Sequence, residues 1–315
     1  MRDKLTGAFT LVVLISSGCA ATVAPPGGTA TPAGASAGVP PGDLVADVRT
    51  LEQSSNAARL DAIQKLLGAR GLAFTPHAFP NSQRARDPRD EGRNLVVDLP
   101  GSGGRDIIVG AHFDAVPLGG GQHSRGMVDN GAGVVVLTRV AESLRRQRLR
   151  HRIRIVFFDM EENGLTGSKA FAGTLDRSRV AAMVNVDIAA YGDTILAGPA
   201  TAVGSEPLHL TLGRVCAARG YSCLKFPAFP TGDDRSFTAA GIPSISMGIL
   251  PALEAHQIWL LLNGGKESGL AGGFAPPIFR TIHTSEDTAD KLSPAAMTLL
   301  YNAILGLVLE IDRAG

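Results

Sequence analysis

Apolar and polar positions fall into a regular order from residue 43 onward. Leu44, Val48 and Leu51, then Ala58, Leu60, Ile63, Leu66 and Leu67, recur at helical spacing. One apolar face results, which predicts a helix or helical pair stopped by Gly71. Phe74 and Phe79 lie in a strand-like segment, and a polar loop follows over 82–93. Asn94-Leu95-Val96-Val97-Asp98-Leu99-Pro100-Gly101 reads as a strand running into a turn. Nearly continuous apolar runs at 106–111, 152–160 and 180–188, with a fourth at 244–248, have the character of strands buried on both faces of a sheet. Helical spacing at 131–149 ends in Arg145-Arg146-Gln147-Arg148, a basic turn suited to the negative C-terminus of a helix. Further helices are predicted at 168–175, 207–219, 236–240 and 294–313. Strands alternating with helices predict an α/β fold, a three-layer α/β/α sandwich around a mixed, mostly parallel central sheet. With no repeat and no second break in composition, residues 43–315 read as one catalytic domain.

The N-terminal segment follows different rules. Arg2 and Lys4 precede an apolar stretch over 9–15, then Ser16-Ser17-Gly18-Cys19, the order of a secretory signal. That stretch is too short for a membrane-spanning helix. A cysteine after Ser-Gly resembles a lipoprotein cleavage site, with residues 1–19 as signal peptide and Cys19 as the lipid-bearing terminus; Ser16 stands where such sites usually carry Leu, so plain secretion is the alternative. Residues 20–42 are Ala, Gly, Pro, Thr and Ser with almost no bulky apolar groups, which predicts a disordered tether. Export would allow Cys216 and Cys223 to pair, while two buried thiols are the other reading.

Composition narrows the function only by exclusion. Lys plus Arg number 30 against 29 Asp plus Glu, so the overall balance points to neither nucleic acid nor an acidic partner. The 38 glycines, and 12 phenylalanines beside one tryptophan, suit a loop-rich α/β enzyme better than a helical bundle.

The chemistry lies where the predicted strands end. His112 follows the run 106–111, Glu161 and Glu162 follow 152–160, and Asp187 closes 180–186, the sheet edge at which open α/β folds bind ligands. Asp129 stands in a Gly-rich loop before a helix, and His283 in a polar loop over 281–288. Two imidazoles and three carboxylates suit two zinc-like ions sharing one bridging ligand, for which the short carboxylate of Asp129 is the candidate. Asp129 as a mere helix N-cap is the plainer alternative. In His112-Phe113-Asp114, alternation puts Asp114 on the same side as His112, where it could accept the second ring N–H. Of the adjacent acids, Glu162 is assigned to metal and Glu161 to general base. An isolated acidic pair would be an exposed turn, and an isolated His283 an exposed loop residue; only their company promotes them. His123, His151, His209 and His256 read as surface or loop residues, with His123 the best placed to line a cleft.

These stations, in order, resemble the M28 family of zinc peptidases, co-catalytic aminopeptidases related to bacterial leucyl aminopeptidases. The resemblance runs through His112-Phe113-Asp114, Gly126-Met127-Val128-Asp129-Asn130-Gly131-Ala132-Gly133 and Phe158-Asp159-Met160-Glu161-Glu162-Asn163-Gly164-Leu165-Thr166-Gly167-Ser168. It continues through Asn185-Val186-Asp187, Asp233-Asp234-Arg235-Ser236-Phe237 with Gly241-Ile242-Pro243, and His283-Thr284-Ser285-Glu286-Asp287-Thr288. It covers about residues 90–295. It implies two Zn2+ per chain bridged by Asp129, one completed by His112 and Asp187, the other by Glu162 and His283. Asp114 would support His112 and Glu161 would act as base on peptides with a free N-terminus. Where the family has Ser-Asp-His, this chain has Gly232-Asp233-Asp234, which puts a substrate-side contact in doubt. Residues 249–280 read as a variable insertion able to shape or cover the cleft. The rival readings are a glutaminyl cyclase-like transferase of the same fold with one zinc, and a non-catalytic surface binding module.

Overall fold

A computed structural model describes residues 43–84, 87–270 and 272–314. The expected signal peptide, Cys19 and the expected tether lie outside the described residues. The first helical signal resolves into a pair, α1 (Leu44–Arg49) and α2 (Asn56–Ala69). Asp43 caps the first by accepting from the Ala46 N–H, and Ser55 caps the second through Ala58. Gly71, at φ +63°, turns the chain out of α2.

The ten strands are β1 (Thr75–Pro80), β2 (Glu91–Leu99), β3 (Asp106–His112), β4 (Pro117–Gly119), β5 (Gln122–His123), β6 (Arg152–Phe158), β7 (Val180–Val186), β8 (Thr194–Gly198), β9 (Ser222–Lys225) and β10 (Ser244–Leu250). Six of them follow the segments read as strands, with small shifts, and four short ones, β4, β5, β8 and β9, were not expected. β2 starts inside the stretch expected as polar loop, because pairing with β1 extends as far as Pro80 with Glu91. Eight strands form one sheet in the order β1-β2-β6-β3-β7-β10-β8-β9, while β4 and β5 make a separate hairpin. The centre, β6-β3-β7-β10, is parallel; β1 with β2, β2 with β6 and β8 with β10 pair antiparallel, and β9 lies parallel to β8 at the edge. Every residue of β3 and β10 is buried, as their apolar runs require.

Helices cover both faces. α3 (Ala132–Leu144) and α8 (Pro294–Ala314) pack on one side around Val136, Val140, Leu300 and Ile304, with α5 (Glu206–Arg219) beside them. α4 (Thr166–Ala172) and α6 (Asp234–Ala239) cover the other, where Phe158, Phe171 and Phe237 meet. α3 ends five residues before its expected limit, and the basic run leaves it as a turn. The expected insertion contains a regular helix, α7 (Ala252–Asn263). Cys216 of α5 and Cys223 of β9 are joined in a disulfide.

Candidate metal centre

Three parallel strands aim their C-terminal ends at one point. His112 is the last residue of β3, Asp187 follows β7, and Glu161 and Glu162 follow β6 after a left-handed turn at Met160 (φ 59°). Asp129 comes from the tight turn Met127–Gly131 ahead of α3, and His283 from a loop at φ 59°, a region L-residues seldom occupy. His112 Nε2 lies 2.9 Å from Asp129 Oδ1 and 3.7 Å from Asp187 Oδ1. His283 Nε2 lies 3.2 Å from Asp129 Oδ2 and 3.0 Å from Glu162 Oε1. The two oxygens of Asp129 thus face different imidazoles. Asp129 is no helix cap: Gly131 holds that position, without a side-chain bond.

The donor chemistry fits divalent ions. Ligands about 2.0–2.1 Å from a tetrahedral centre stand roughly 3.3 Å apart, and each triad, His112–Asp129–Asp187 and Asp129–Glu162–His283, keeps its donor atoms within 4.8 Å of one another. Without a cation, buried like charges oppose one another. Burial, together with Asp129 and Asp114, pushes Glu162 up to about 7. Burial and Asp129 likewise raise Asp187. Burial works against charge on His112, but Asp114, Asp129 and Asp187 outweigh it and hold its pKa well above the ordinary value. Bonds from Asp129 and Glu162 raise His283 to about 10. A divalent cation between the carboxylates would relieve that opposition.

The support around the triads is specific. The Asp114 carboxylate accepts the Glu161 N–H at 2.9 Å and the Glu162 N–H at 3.1 Å, tying the strand end of His112 to the acid pair. Its expected bond to the imidazole is the longer contact, since His112 Nδ1 is 3.3 Å from the Asp114 carbonyl oxygen and 3.5 Å from its carboxylate. Asp287, fully buried, accepts from the N–H of Val128 (2.5 Å) and of Asp129 (3.2 Å). Arg59 of α2 donates to the carbonyls of Gly126 and Arg125, and Asn56 makes a reciprocal pair of bonds with the Ala115 backbone. None of Asp287, Arg59 and Asn56 was singled out from sequence. Asp287 sits four residues after His283, in a stretch the resemblance covers but where only the histidine was given a role. Asn56 and Arg59 carry no local signal beyond being polar at the start of a helix.

Among the described residues the Glu161 side chain makes no ion pair, and burial, with Asp233, Asp187 and Glu162 nearby, raises its pKa well above the ordinary value. It reaches the floor of a pocket of roughly 200 Å³ with His112, Asp129, Glu162, Asp187 and His283. The walls are apolar: Leu196, Phe229, Ile258, Ile278, Phe279 and Ile282. Residues 249–280 therefore shape the cleft. Asp234 does not, since Asp233 and Asp234 are both fully buried and absent from the lining. Among the described residues their carboxylates find no hydrogen-bond partner, and burial raises them to about 7 and about 8. His123 lies in β5 outside the pocket lining. His151 and His209, expected at the surface or in loops, are buried; His151 is held there by the Arg105 backbone.

The family model for Peptidase family M28 matches residues 94–308. The probable lipoprotein aminopeptidase LpqL of Mycobacterium tuberculosis is 27% identical over 227 residues, 66% of this chain and 43% of that one. Leupeptin-inactivating enzyme 1 of Streptomyces exfoliatus is 28% identical over 137 residues, 42% of this chain and 29% of that one. The chain thus spans less than half the length of these curated relatives. In fold it is similar to a zinc aminopeptidase of Bacillus subtilis (TM-score 0.56, 20% identity, 70% of this chain and 50% of that one). It is also similar in fold to a glutaminyl cyclase of Porphyromonas gingivalis (TM-score 0.65, 19% identity, 85% of this chain and 95% of that one).

Proposed function

Because the chain belongs to peptidase family M28, we propose that it is a zinc-dependent aminopeptidase that removes large apolar residues from the N-termini of peptides. The observation that carries this reading is the two histidine–carboxylate triads that share Asp129 beside an unpaired Glu161. His112, Asp129 and Asp187 would hold one Zn2+, and Asp129, Glu162 and His283 a second. When bound, the ions supply a Lewis acid for the scissile carbonyl and lower the pKa of a water. Glu161 takes a proton from the attacking water and returns it to the departing amine. Asp114 holds Glu161 and Glu162 through their backbone N–H groups, which keeps the base at a fixed distance from His112. Leu196, Ile258, Ile278 and Ile282 offer an apolar enclosure for the substrate's first side chain, and carboxylates at its floor attract the α-ammonium group.

The cyclase-like fold favours a second reading, aminoacyl transfer at one zinc. Two complete triads weigh against it. An exported, lipid-anchored location is proposed with the activity, supported by the signal-like N-terminus and by a relative named as a lipoprotein. The test is Glu161→Gln assayed on leucyl-p-nitroanilide with zinc measured alongside. Unchanged zinc with activity lowered about 10²–10⁴-fold is expected; full activity would remove Glu161 from the reaction.

A further inference from the structure

Charge on this molecule is segregated along the sheet. β3, β6 and β7 lie side by side and parallel, with Asp106 in register with Arg152 on one side and Val180 on the other. Their N-terminal ends therefore form one edge. The metal centre stands at the opposite edge, about 20 Å away for strands rising ~3.3 Å per residue. The residues leading into these strands are arginines: Arg105 before β3, Arg150 before β6, Arg177 and Arg179 before β7. Arg146 and Arg148 join them from the turn after α3. That turn is laced to the chain entering β3, because Ser102 and Gly103 donate to the carbonyls of Leu149 and Arg150. A β-carbon at Gly101 would lie 2.3 Å from the His151 carbonyl oxygen, so only glycine lets the two backbones approach this closely.

All six arginines are exposed, and among the described residues none has a carboxylate oxygen within 4.0 Å. The acids at this edge are engaged elsewhere. Asp106 is bonded to Arg152, and Glu310 to Arg313. Asp176 accepts from the backbone and hydroxyl of Ser178, and the buried Asp312 from the backbone N–H groups of Arg150 and His151. The result is a cationic face on which six arginines outnumber the acids beside them, Asp176 and Asp312, and make no ion pair with them among the described residues.

We propose that this arginine edge docks the protein on an anionic phospholipid surface, with the metal centre facing away from the bilayer. Guanidinium groups match phosphate oxygens in a planar fork, and a row across adjacent strands suits a flat array of headgroups. Single-stranded nucleic acid is the poorer occupant, because Gln147, Leu149 and Ser178 stand between the arginines where stacking aromatics would be needed. The choice of lipid rests on the exported, anchored reading above. Residues 20–42, if a flexible tether, would span roughly 25–30 Å root-mean-square, and at the effective concentration this gives a weak cationic face suffices.

The test uses the whole chain carrying Cys19→Ser, which cannot be lipidated, sedimented with vesicles of phosphatidylcholine alone or with 30% phosphatidylglycerol added. Binding to the anionic vesicles should exceed binding to neutral ones about tenfold or more and vanish in 0.5 M NaCl. Arg146→Glu/Arg148→Glu/Arg150→Glu should abolish that excess while leaving hydrolysis of a soluble leucyl substrate and the melting temperature unchanged. Equal binding to both vesicles, or an unaltered excess in the triple variant, overturns the proposal. Charge-dependent binding to a DNA strand without binding to anionic vesicles also overturns it, in favour of a polymer. Mass spectrometry of the mature N-terminus decides the lipid anchor separately, so either idea fails on its own.

Discussion

Asp114 acts on the site through the backbone of its neighbours. Its two oxygens accept the N–H groups of Glu161 and Glu162, so one carboxylate fixes both the proposed base and a proposed ligand. Asp114→Asn replaces one acceptor by a donor and should lower zinc affinity about 10–100-fold, read by chelator competition. The contrast with Asp129 is one of degree. Asp129→Ala removes the carboxylate common to both triads and should empty both sites; two zincs retained would refute the bridge. These residues were legible in the sequence because strand ends converge on one sheet edge, so each acid or histidine after an apolar run was a candidate. The clamps were not. Asp287 and Arg59 act on backbone groups remote in sequence, and no local pattern records which backbone a side chain will meet.

Elements divide the work of enclosing the pocket. α7 contributes Ile258, and the turn Pro277–Arg280 contributes Ile278 and Phe279. Glu254 joins the two: it is buried in α7, accepts the Ile278 N–H, and has the Tyr191 hydroxyl 3.4 Å away. Glu254→Ala should release the turn and raise KM for leucyl substrates several-fold with little effect on alanyl ones, while Glu254→Gln, which keeps an acceptor, restores most of it. A uniform loss of kcat would argue against a role confined to the wall. This helix was hidden in sequence because Leu253, Leu261 and Leu262 are exposed, which blurs the one-sided pattern that marks a surface helix. β8 and β9 were missed for a related reason. They are short strands at one end of the sheet, and β9 is mostly polar. The disulfide from α5 to β9 secures that edge. For a loop this short, Cys216→Ser with Cys223→Ser should cost about 2–3 kcal/mol in urea unfolding.

Across the whole molecule, a net charge of +1 conceals two opposed faces, acidic at one sheet edge and basic at the other. Composition could not reveal this, because it sums over positions that the parallel strands separate. The buried acids also tie stability to metal. Chelation leaves Asp129, Glu162 and Asp187 crowded together, so the melting temperature should fall by several degrees and recover with added zinc. The central claim is that two ions share Asp129 in a peptide-cleaving site. Titrating the metal-free protein with zinc while following leucine release tests it most directly. Activity should rise to a plateau at two zincs per chain; a plateau at one, with cyclisation of an N-terminal glutamine in place of hydrolysis, would contradict it.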